Sequence, residues 1–550
     1  MGDEPSLEVP PHWAALYKQG NEFESKVFQV FQKALGDECV NLDSNSFEES
    51  MSMSEHIALT VAAMNSGRKV ILGGYLPDDL VGGRRGKPDI LLRGMNQADG
   101  RPSYYAADVK FHSVIRQHKV KTPQSVFLSW PDRPFIEDAF DEVGWTLDES
   151  HVSDWLQLAH YQRMLQTMGF AAPENWAALI GADTVNDREM ALVWIRLDGK
   201  TIKSYSETED VVERNILEEY DYQFSLRKEI ARIALRQVRD DTPAPLVEPI
   251  YQLECEACSW REACPERLVS DEATWKLRIG SENTRREWEL LRAHGVSTIE
   301  EVARLQPDGE IVADIAARVH TPGRAKQRLM SYQRKADMVH RGVQIERITK
   351  GEINVPTFDV EVDFDIEWLH HEPPYLYGFL LQTPDASETY YHISAFEHLT
   401  VERGQELARD AVQWLINQRD MAKEQGQSFG VFHYSHPEKT ELRKALGSDA
   451  EKFERLIEES FVDLAPIVRK HFYGVQGLGL KQIAVHGSGF AWRDETPGGL
   501  NSQIWAEEAI EGSEGSRKRV LAYNEDDVRA TAIVRNWLRK SQPELPSSIV

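Results

Sequence analysis

Lys87-Pro88-Asp89-Ile90-Leu91-Leu92-Arg93, then a short polar connection, then Tyr104-Tyr105-Ala106-Ala107-Asp108-Val109-Lys110, is the stretch on which the reading of this chain turns. Both runs are β-type, and each carries a carboxylate. Side chains of an extended strand alternate between faces, so Asp108 and Lys110 point the same way. Asp89 heads the first run and comes beside them if the runs pair as a hairpin. Two carboxylates and one ammonium on one side of a sheet suit a hydrolytic magnesium site. The carboxylates hold a hard cation, and the lysine steadies the attacking water or a charged phosphate.

With 550 residues the chain exceeds one core and is expected to form roughly two to four domains. Its 63 basic and 89 acidic residues leave a net charge of −26, which argues against a protein that coats nucleic acid indiscriminately. A nuclease stays open, because it needs acidic metal ligands and only local basic patches. Lys110, Arg116, His118, Lys119 and Lys121 form one such patch, or else a solvated face. No apolar run is long enough to span a bilayer, and the acidic start Met1-Gly2-Asp3-Glu4-Pro5 lacks a signal-peptide core. The expectation is a cytoplasmic protein without a membrane partner.

Along the chain, residues 1 to 12 read as a mobile lead-in. Phe23, Val27, Phe28, Val30, Phe31 and Leu35 recur at helical spacing, with a stop at Gly36. A second helix is predicted from Met51 to Asn65, and a strand at Val70-Ile71-Leu72. A loop-rich insertion bearing Pro123, Pro131 and Pro134 follows the opening stretch. Then come a helix from about Ser153 to Met168, strands at Trp176–Ile180 and Met190–Ile195, and a long helix from about Ser206 to Val238. The alternation predicts an α/β domain with a mixed sheet. Residues 283 to 340 are helical in pattern, a new strand-rich α/β segment begins at Val355, and the tail from Ser541 to Val550 reads as disordered.

A third feature joins the opening stretch. Gln157 and Tyr161 lie four apart on the helix that follows and share a face, where both can hydrogen-bond a phosphate or a base. On these residues the chain resembles the RecB-like branch of the PD-(D/E)xK nucleases. That branch is marked by Gly-x-x-x-(His/Glu) on an early helix, an Asp, a (Asp/Glu)-x-Lys and a Gln-x-x-x-Tyr helix. Gly20 to Glu24, Asp89, Asp108 with Lys110, and Gln157 with Tyr161 match in order. The resemblance covers roughly residues 15 to 200 and implies a restriction-endonuclease-like fold that hydrolyses DNA phosphodiesters with Mg2+ or Mn2+. It implies Glu24, Asp89 and Asp108 as metal ligands and Lys110 beside the water. Glu22 is a substitute for Glu24, and a partly buried structural pair is the competing reading of Gln157 and Tyr161.

Cys255-x-x-Cys258 and Cys264-Pro265 hold three of the four cysteines, which points to a metal rather than a disulfide framework. Many RecB-like nucleases close with Cys-x-x-Cys-x5-Cys and take a fourth cysteine from upstream of the first helix to bind a 4Fe-4S cluster. Here the fourth thiol departs from that pattern. Cys39, just after the helix, is the candidate, and Zn2+ with a histidine is the alternative.

Leu290 to Val302, with His294-Gly295-Val296-Ser297 at its turn, looks like a helix-hairpin-helix, whose backbone N–H groups meet a phosphate. The segment from Thr321-Pro322-Gly323-Arg324 to Arg334 and Lys335 adds a basic helix suited to a DNA backbone. A plain helical spacer is the alternative for each.

Phe358 to Glu367 alternates strictly. Phe358, Val360, Val362, Phe364 and Ile366 share one face, while Asp359, Glu361, Asp363, Asp365 and Glu367 share the other. So many carboxylates on one face repel unless cations neutralise them. Tyr375–Leu381 is a partner strand, Phe429–His433 a further strand leading to Glu438, and Tyr523-Asn524-Glu525-Asp526-Asp527 opens a late helix. The arrangement resembles the RNase H-like exonucleases of the DEDD group. That group implies catalytic and metal-ligating roles for Asp365, Glu367, Glu438 and Asp527, with Tyr523 orienting the nucleophile. Asp359 or Asp363 could replace Asp365 in register, and Glu438 stands where the group has Asp.

The expected organisation is a RecB-like nuclease domain at 13–250, a cysteine cluster at 251–268, a helical helix-hairpin-helix-like connector at 283–345, and an RNase H-like DEDD-type domain at 353–540. The expected function is metal-dependent cleavage of single-stranded DNA or DNA ends in repair or recombination, with a 3′–5′ exonuclease-type second site. No phosphate-binding Gly-x-x-x-x-Gly-Lys-(Ser/Thr) loop is present, so a helicase would be a separate partner. The alternative is a DNA-binding scaffold or helicase-partner subunit with one or both sites inactive.

Overall fold

The computed structural model describes residues 11–43, 52–118, 124–205, 210–237, 248–261, 263–278, 285–319, 321–369, 372–385 and 387–540. Lys119, Lys121, Pro123, most of the expected lead-in and the expected tail at 541–550 lie outside them. The chain divides into two compact units, one formed by Ala14–Glu248 with Arg318–His320, the other by the segment up to Trp13, Pro249–Ala317 and the chain from Thr321 onward.

The N-terminal unit is built on a mixed sheet of eight strands. They are β1 (Cys39–Asn41), β2 (Val70–Leu72), β3 (Ile90–Arg93), β4 (Tyr104–Val109), β5 (Ser125–Ser129), β6 (Phe140–Val143), β7 (Trp176–Ile180) and β8 (Leu192–Arg196), in the order β1-β2-β3-β4-β7-β8-β5-β6. β3 and β4 form the expected antiparallel pair, and β4 runs parallel to β7.

Helix α1 (Pro11–Leu35) begins earlier than the hydrophobic spacing indicates, with a proline at the position where a missing N–H costs nothing. Its Val27, Phe28 and Phe31 pack on Val70, Leu72, Ile90, Leu92 and Ala107. Helix α2 (Met53–Asn65) opens on a capping box of Ser52 and Glu55. Helix α3 (Val152–Met168) stops at left-handed Gly169 (φ 72°). Its Tyr161, Met164 and Leu165 share a core with Ile71, Leu91, Tyr104 and Ala106. Alternation therefore puts Asp89, Asp108 and Lys110 on the α3 side of the sheet.

Two elements differ from the sequence expectation. The insertion after Lys121 carries strands β5 and β6, because Val126 and Leu128 alternate into the core while Pro131 and Pro134 fall beyond β5. Helix α4 (Ile216–Gln237) starts well after Ser206. Thr201–Ser204 and Val212–Asn215 pair antiparallel before it, and the Asn215 side chain and Glu218 exchange capping hydrogen bonds with each other's backbone.

In the second unit, helices at Arg285–Ala293, Ile299–Ala303, Glu310–Ala317 and Pro322–His340 pack around a stacked Trp288–Tyr332 pair. Gly295 (φ 74°) makes the turn of the hairpin, and Thr298 with Glu301 caps the next helix. The basic helix is partly turned inward: Arg328 forks onto buried Glu287, and Arg334 binds buried Glu346.

Strand structure resumes before Val355, since Ile345–Arg347 pairs with Phe472–Gly474. The five-stranded sheet comprises β9 (Val360–Glu367), β10 (Leu376–Gln382), β11 (Glu388–Ser394), β12 (Phe429–His433) and β13 (Phe461–Asp463), ordered β11-β10-β9-β12-β13. The first three are antiparallel and the last two join β9 in parallel. β9 is thus the central strand. Val362, Phe364 and Ile366 face a core shared with Leu407, Ala411 and Leu415 of α5 (Val401–Glu424). The acidic face meets α7 (Glu514–Leu538), which follows α6 (Pro437–Leu446) in this numbering. Tyr523 to Asp527 lie in the middle of α7 rather than opening it, because the helix is capped at Ser513.

Candidate metal centres

In the N-terminal unit the β3–β4 register sets Asp89 opposite Asp108. Asp89 Oδ2 accepts the Val109 N–H at 2.7 Å. Asp108 Oδ2 is 2.6 Å from Lys110 Nζ, while its Oδ1 is buried with no donor. Lys110 donates to Gln157 Oε1 (2.7 Å), Gln157 Nε2 to Tyr161 Oη (2.8 Å), and Tyr161 to the Lys87 carbonyl (3.0 Å). Gln157 and Tyr161 are therefore links that position Lys110. Burial, then Asp108 and Glu24, push the Asp89 carboxyl well above its usual range. Burial also raises Glu24, Lys87 counters it, and Asp43 and Asp108 add to it. Glu22 is exposed.

Sequence reasoning did not single out Asp43, Lys87 or Asp154 here. Lys87 Nζ pairs with Asp43 Oδ1 at 3.0 Å, and Asp154 Oδ1 stands 3.7 Å from Lys110 Nζ. Lys87 adjoins the Pro88-Asp89 turn, and Val40 and Leu42 alternate just before Asp43; those were the available signals.

In the C-terminal sheet the acidic face of β9 divides. Asp359, ahead of the strand, accepts from Ser428. Glu361 is held by Arg535 and Arg539, and fully buried Asp363 by Arg535 at 2.8 Å. Asp365 and Glu367 meet no arginine among the described residues. One carboxylate oxygen from each of Asp365, Glu367 and Asp527 lies within 4.8 Å of the other two. Asn524 donates to Asp365 (2.8 Å), Ser502 to Glu367 (2.9 Å) and Trp492 Nε1 to Asp527 (2.7 Å). Gly378, opposite Asp365 in β10, permits this: a Cβ there would overlap the Asn524 amide.

The electrostatics follow from burial. Desolvation, then Asp527, Glu367 and Glu438, push Asp365 well above the carboxylate range. Desolvation and Asp527 push Glu367 up to about 8, and desolvation pushes Asp527 up to about 6. Lys481, which the sequence reading left without a chemical role, donates to Tyr523 Oη at 2.9 Å, and burial lowers its own pKa. Asp527, one turn on, interacts electrostatically with Tyr523. Glu438 stands outside the tight group, with Oε2 3.5 Å from buried His433 Nδ1. An all-oxygen set of crowded, buried carboxylates fits a hard divalent cation such as Mg2+ or Mn2+.

Residues 363–539 match the family model of the RNase_H superfamily. The match spans β9 through α7 and with them the whole carboxylate group. The C-terminal part of the chain is an RNase H-like domain. No curated protein and no solved structure matched the chain. No helix among the described residues is long and apolar enough to cross a membrane.

Cys255, Cys258 and Cys264 lie in a loop and two short 3-10 turns of the second unit, none in a disulfide, and burial first, then the other two thiols, raise the pKa of Cys264. Cys39 is on β1 of the N-terminal unit, where burial raises its thiol to about 11.

Proposed function

We propose that the protein is a divalent-metal-dependent nuclease with two phosphodiester-hydrolysing centres. The observation that carries the reading is the convergence of Asp365, Glu367 and Asp527 in an RNase H-like domain, with no arginine among the described residues paired to them. A divalent ion held there supplies neutralisation of the leaving oxygen and activation of water. The chain's own residues do the positioning. Trp492, Ser502 and Asn524 fix the three carboxylates, and Tyr523, held by Lys481, orients the nucleophile. Glu438 reaches Asp365 electrostatically and completes the acidic lining.

The second centre is that of a RecB-like domain, with Glu24, Asp89 and Asp108 as ligands and Lys110 beside the water. Its support is the buried Asp108 oxygen without a donor and the relay that holds Lys110. The substrate is DNA, single-stranded or at ends, in repair or recombination, with a separate helicase as partner. Cys255, Cys258 and Cys264 hold an iron–sulfur cluster or zinc.

A scaffold that binds nucleic acid without turnover is the second reading, favoured by Glu438 standing apart from the tight group. Incubating labelled single-stranded and duplex DNA with Mg2+ or Mn2+, using wild type, Lys110→Ala and Asp365→Ala, separates the two. Cleavage lost in one variant assigns the head that cuts. Intact DNA with wild type in both metals rejects the enzyme.

A further inference from the structure

We propose that His112, His151 and Asp154 form a separate site for a zinc-class cation. His112 follows β4, His151 caps the start of α3, and Asp154 lies in the first turn of that helix. His112 Nε2 is 2.8 Å from Asp154 Oδ2. The two imidazoles stack with centroids 4.0 Å apart and planes at 22°. One ligand atom from each of the three residues lies within 4.8 Å of the others.

The three donors come from the segment after β4 and the start of α3, and two of them, His112 and Asp154, are tied by neighbouring groups. The His112 carbonyl accepts the Ala182 N–H at 3.0 Å, which ties the chain beyond β4 to the segment after β7. Asp154 is buried, and its second oxygen faces Lys110 at 3.7 Å, so the first is left for His112. Such backing by outer groups is what orients metal ligands. The positive end of α3 disfavours a cation, and the Asp154 carboxylate in its first turn offsets that. Both imidazoles are half-buried, so one side stays open for water or a further ligand.

The donor chemistry separates this site from the carboxylate centres. Two imidazole nitrogens and one carboxylate select zinc, cobalt or nickel, whereas all-oxygen sets select magnesium or manganese. A histidine–carboxylate hydrogen bond alone would need only His112 and Asp154. His151, with its own ligand atom inside the group, is what turns that pair into a site, and the two rings turn out of their stack for both in-plane lone pairs to meet one ion. Asp154 also borders Lys110 of the N-terminal centre, but neither histidine belongs to either hydrolytic set, so metal binding through them can be read without reference to cleavage.

Cobalt(II) titration of the full chain in excess Mg2+ tests it. Imidazole and carboxylate ligands give visible ligand-field bands, and thiolates add near-ultraviolet charge transfer that marks the cysteine loop. Bands are expected in wild type, in Asp365→Asn and in the Cys255→Ser/Cys258→Ser/Cys264→Ser variant. Affinity falls by more than about 100-fold in His112→Ala, exceeding what loss of an outer partner costs. His151→Gln, at a half-exposed helix cap, gives the same loss without removing the His112–Asp154 contact. Unchanged bands in both histidine variants, or bands that vanish with the cysteines, overturn the proposal.

Discussion

The two ends of strand β9 carry the same side chains and put them to opposite uses. At one end Glu361 and Asp363 are buried against Arg535 and Arg539 of the C-terminal helical segment. At the other, Asp365 and Glu367 face Asp527, and the cation that acts on Glu367 is the ammonium of Lys481, which also serves Tyr523. A buried carboxylate needs a counter-charge. One half carries its own as guanidinium, and the other is left to attract an ion from solution. The difference comes from α7, which presents Arg535 over residues 361–363 and Asn524 and Asp527 over residues 365–367. The pairing teaches that an acidic strand is not by itself a site: what lies opposite decides.

The largest expected effect comes from neutralising the open end. Asp365→Asn or Glu367→Gln should lower metal-dependent hydrolysis by more than about 100-fold, beyond the cost of losing an outer partner. Thermal unfolding of the metal-free protein should be unchanged or shifted upward, since buried repulsion is removed.

The closed end should behave in reverse. Arg535→Met leaves Asp363 and Glu361 buried without their main counter-charge and should destabilise the domain by about 3–5 kcal/mol, measured by urea unfolding. The hydrolytic rate of the protein that remains folded should stay near wild type.

Acidity should sharpen the contrast. Glu367 has a folded-state pKa raised to about 8, and Asp527 to about 6. Between its ordinary value and the raised one, each group binds a proton in the folded state that the unfolded chain has released. Stability from these groups is therefore present at low pH and is lost as pH rises through about 6 and then about 8. A pH series of unfolding midpoints should show the metal-free protein weakening over that window. Saturating Mg2+ or Mn2+ should flatten the curve, because the bound ion replaces the proton.

The smallest effect is expected in the N-terminal unit, where Lys110 is already partnered. Gln157→Ala removes one link of the relay and should reduce cleavage at that centre by about tenfold, in line with an outer partner. Lys110→Ala should reduce it much further. Rates measured in an Asp365→Asn background isolate this centre.

Much of this was legible in the sequence, and the reasons differ by element. Ile90–Arg93 and Tyr104–Val109 are short, near-continuous apolar runs that mark buried strands, whereas Phe358–Glu367 carries unbroken two-residue alternation, which fixes its faces. Asp359, Asp363 and Asp365 could not be ranked that way, because they occupy the same face and the choice depends on Arg535, far along the chain. Lys481 stayed without a role for the same reason: its proximity to Tyr523 is a product of tertiary folding. The start of α4 was misplaced because charged residues at helical density hid a hairpin, whose pairing no local propensity announces. His112 and His151 carry no motif and meet only once β4 and α3 are packed.

The most direct test compares Asp365→Asn with Asp363→Asn, both in a Lys110→Ala background, by cleavage of a labelled single strand in Mg2+ or Mn2+ and by thermal unfolding. The account predicts that Asp365→Asn abolishes cleavage and keeps the unfolding temperature, while Asp363→Asn keeps cleavage and lowers it. Cleavage that survives Asp365→Asn, or equal loss in both variants, would contradict it.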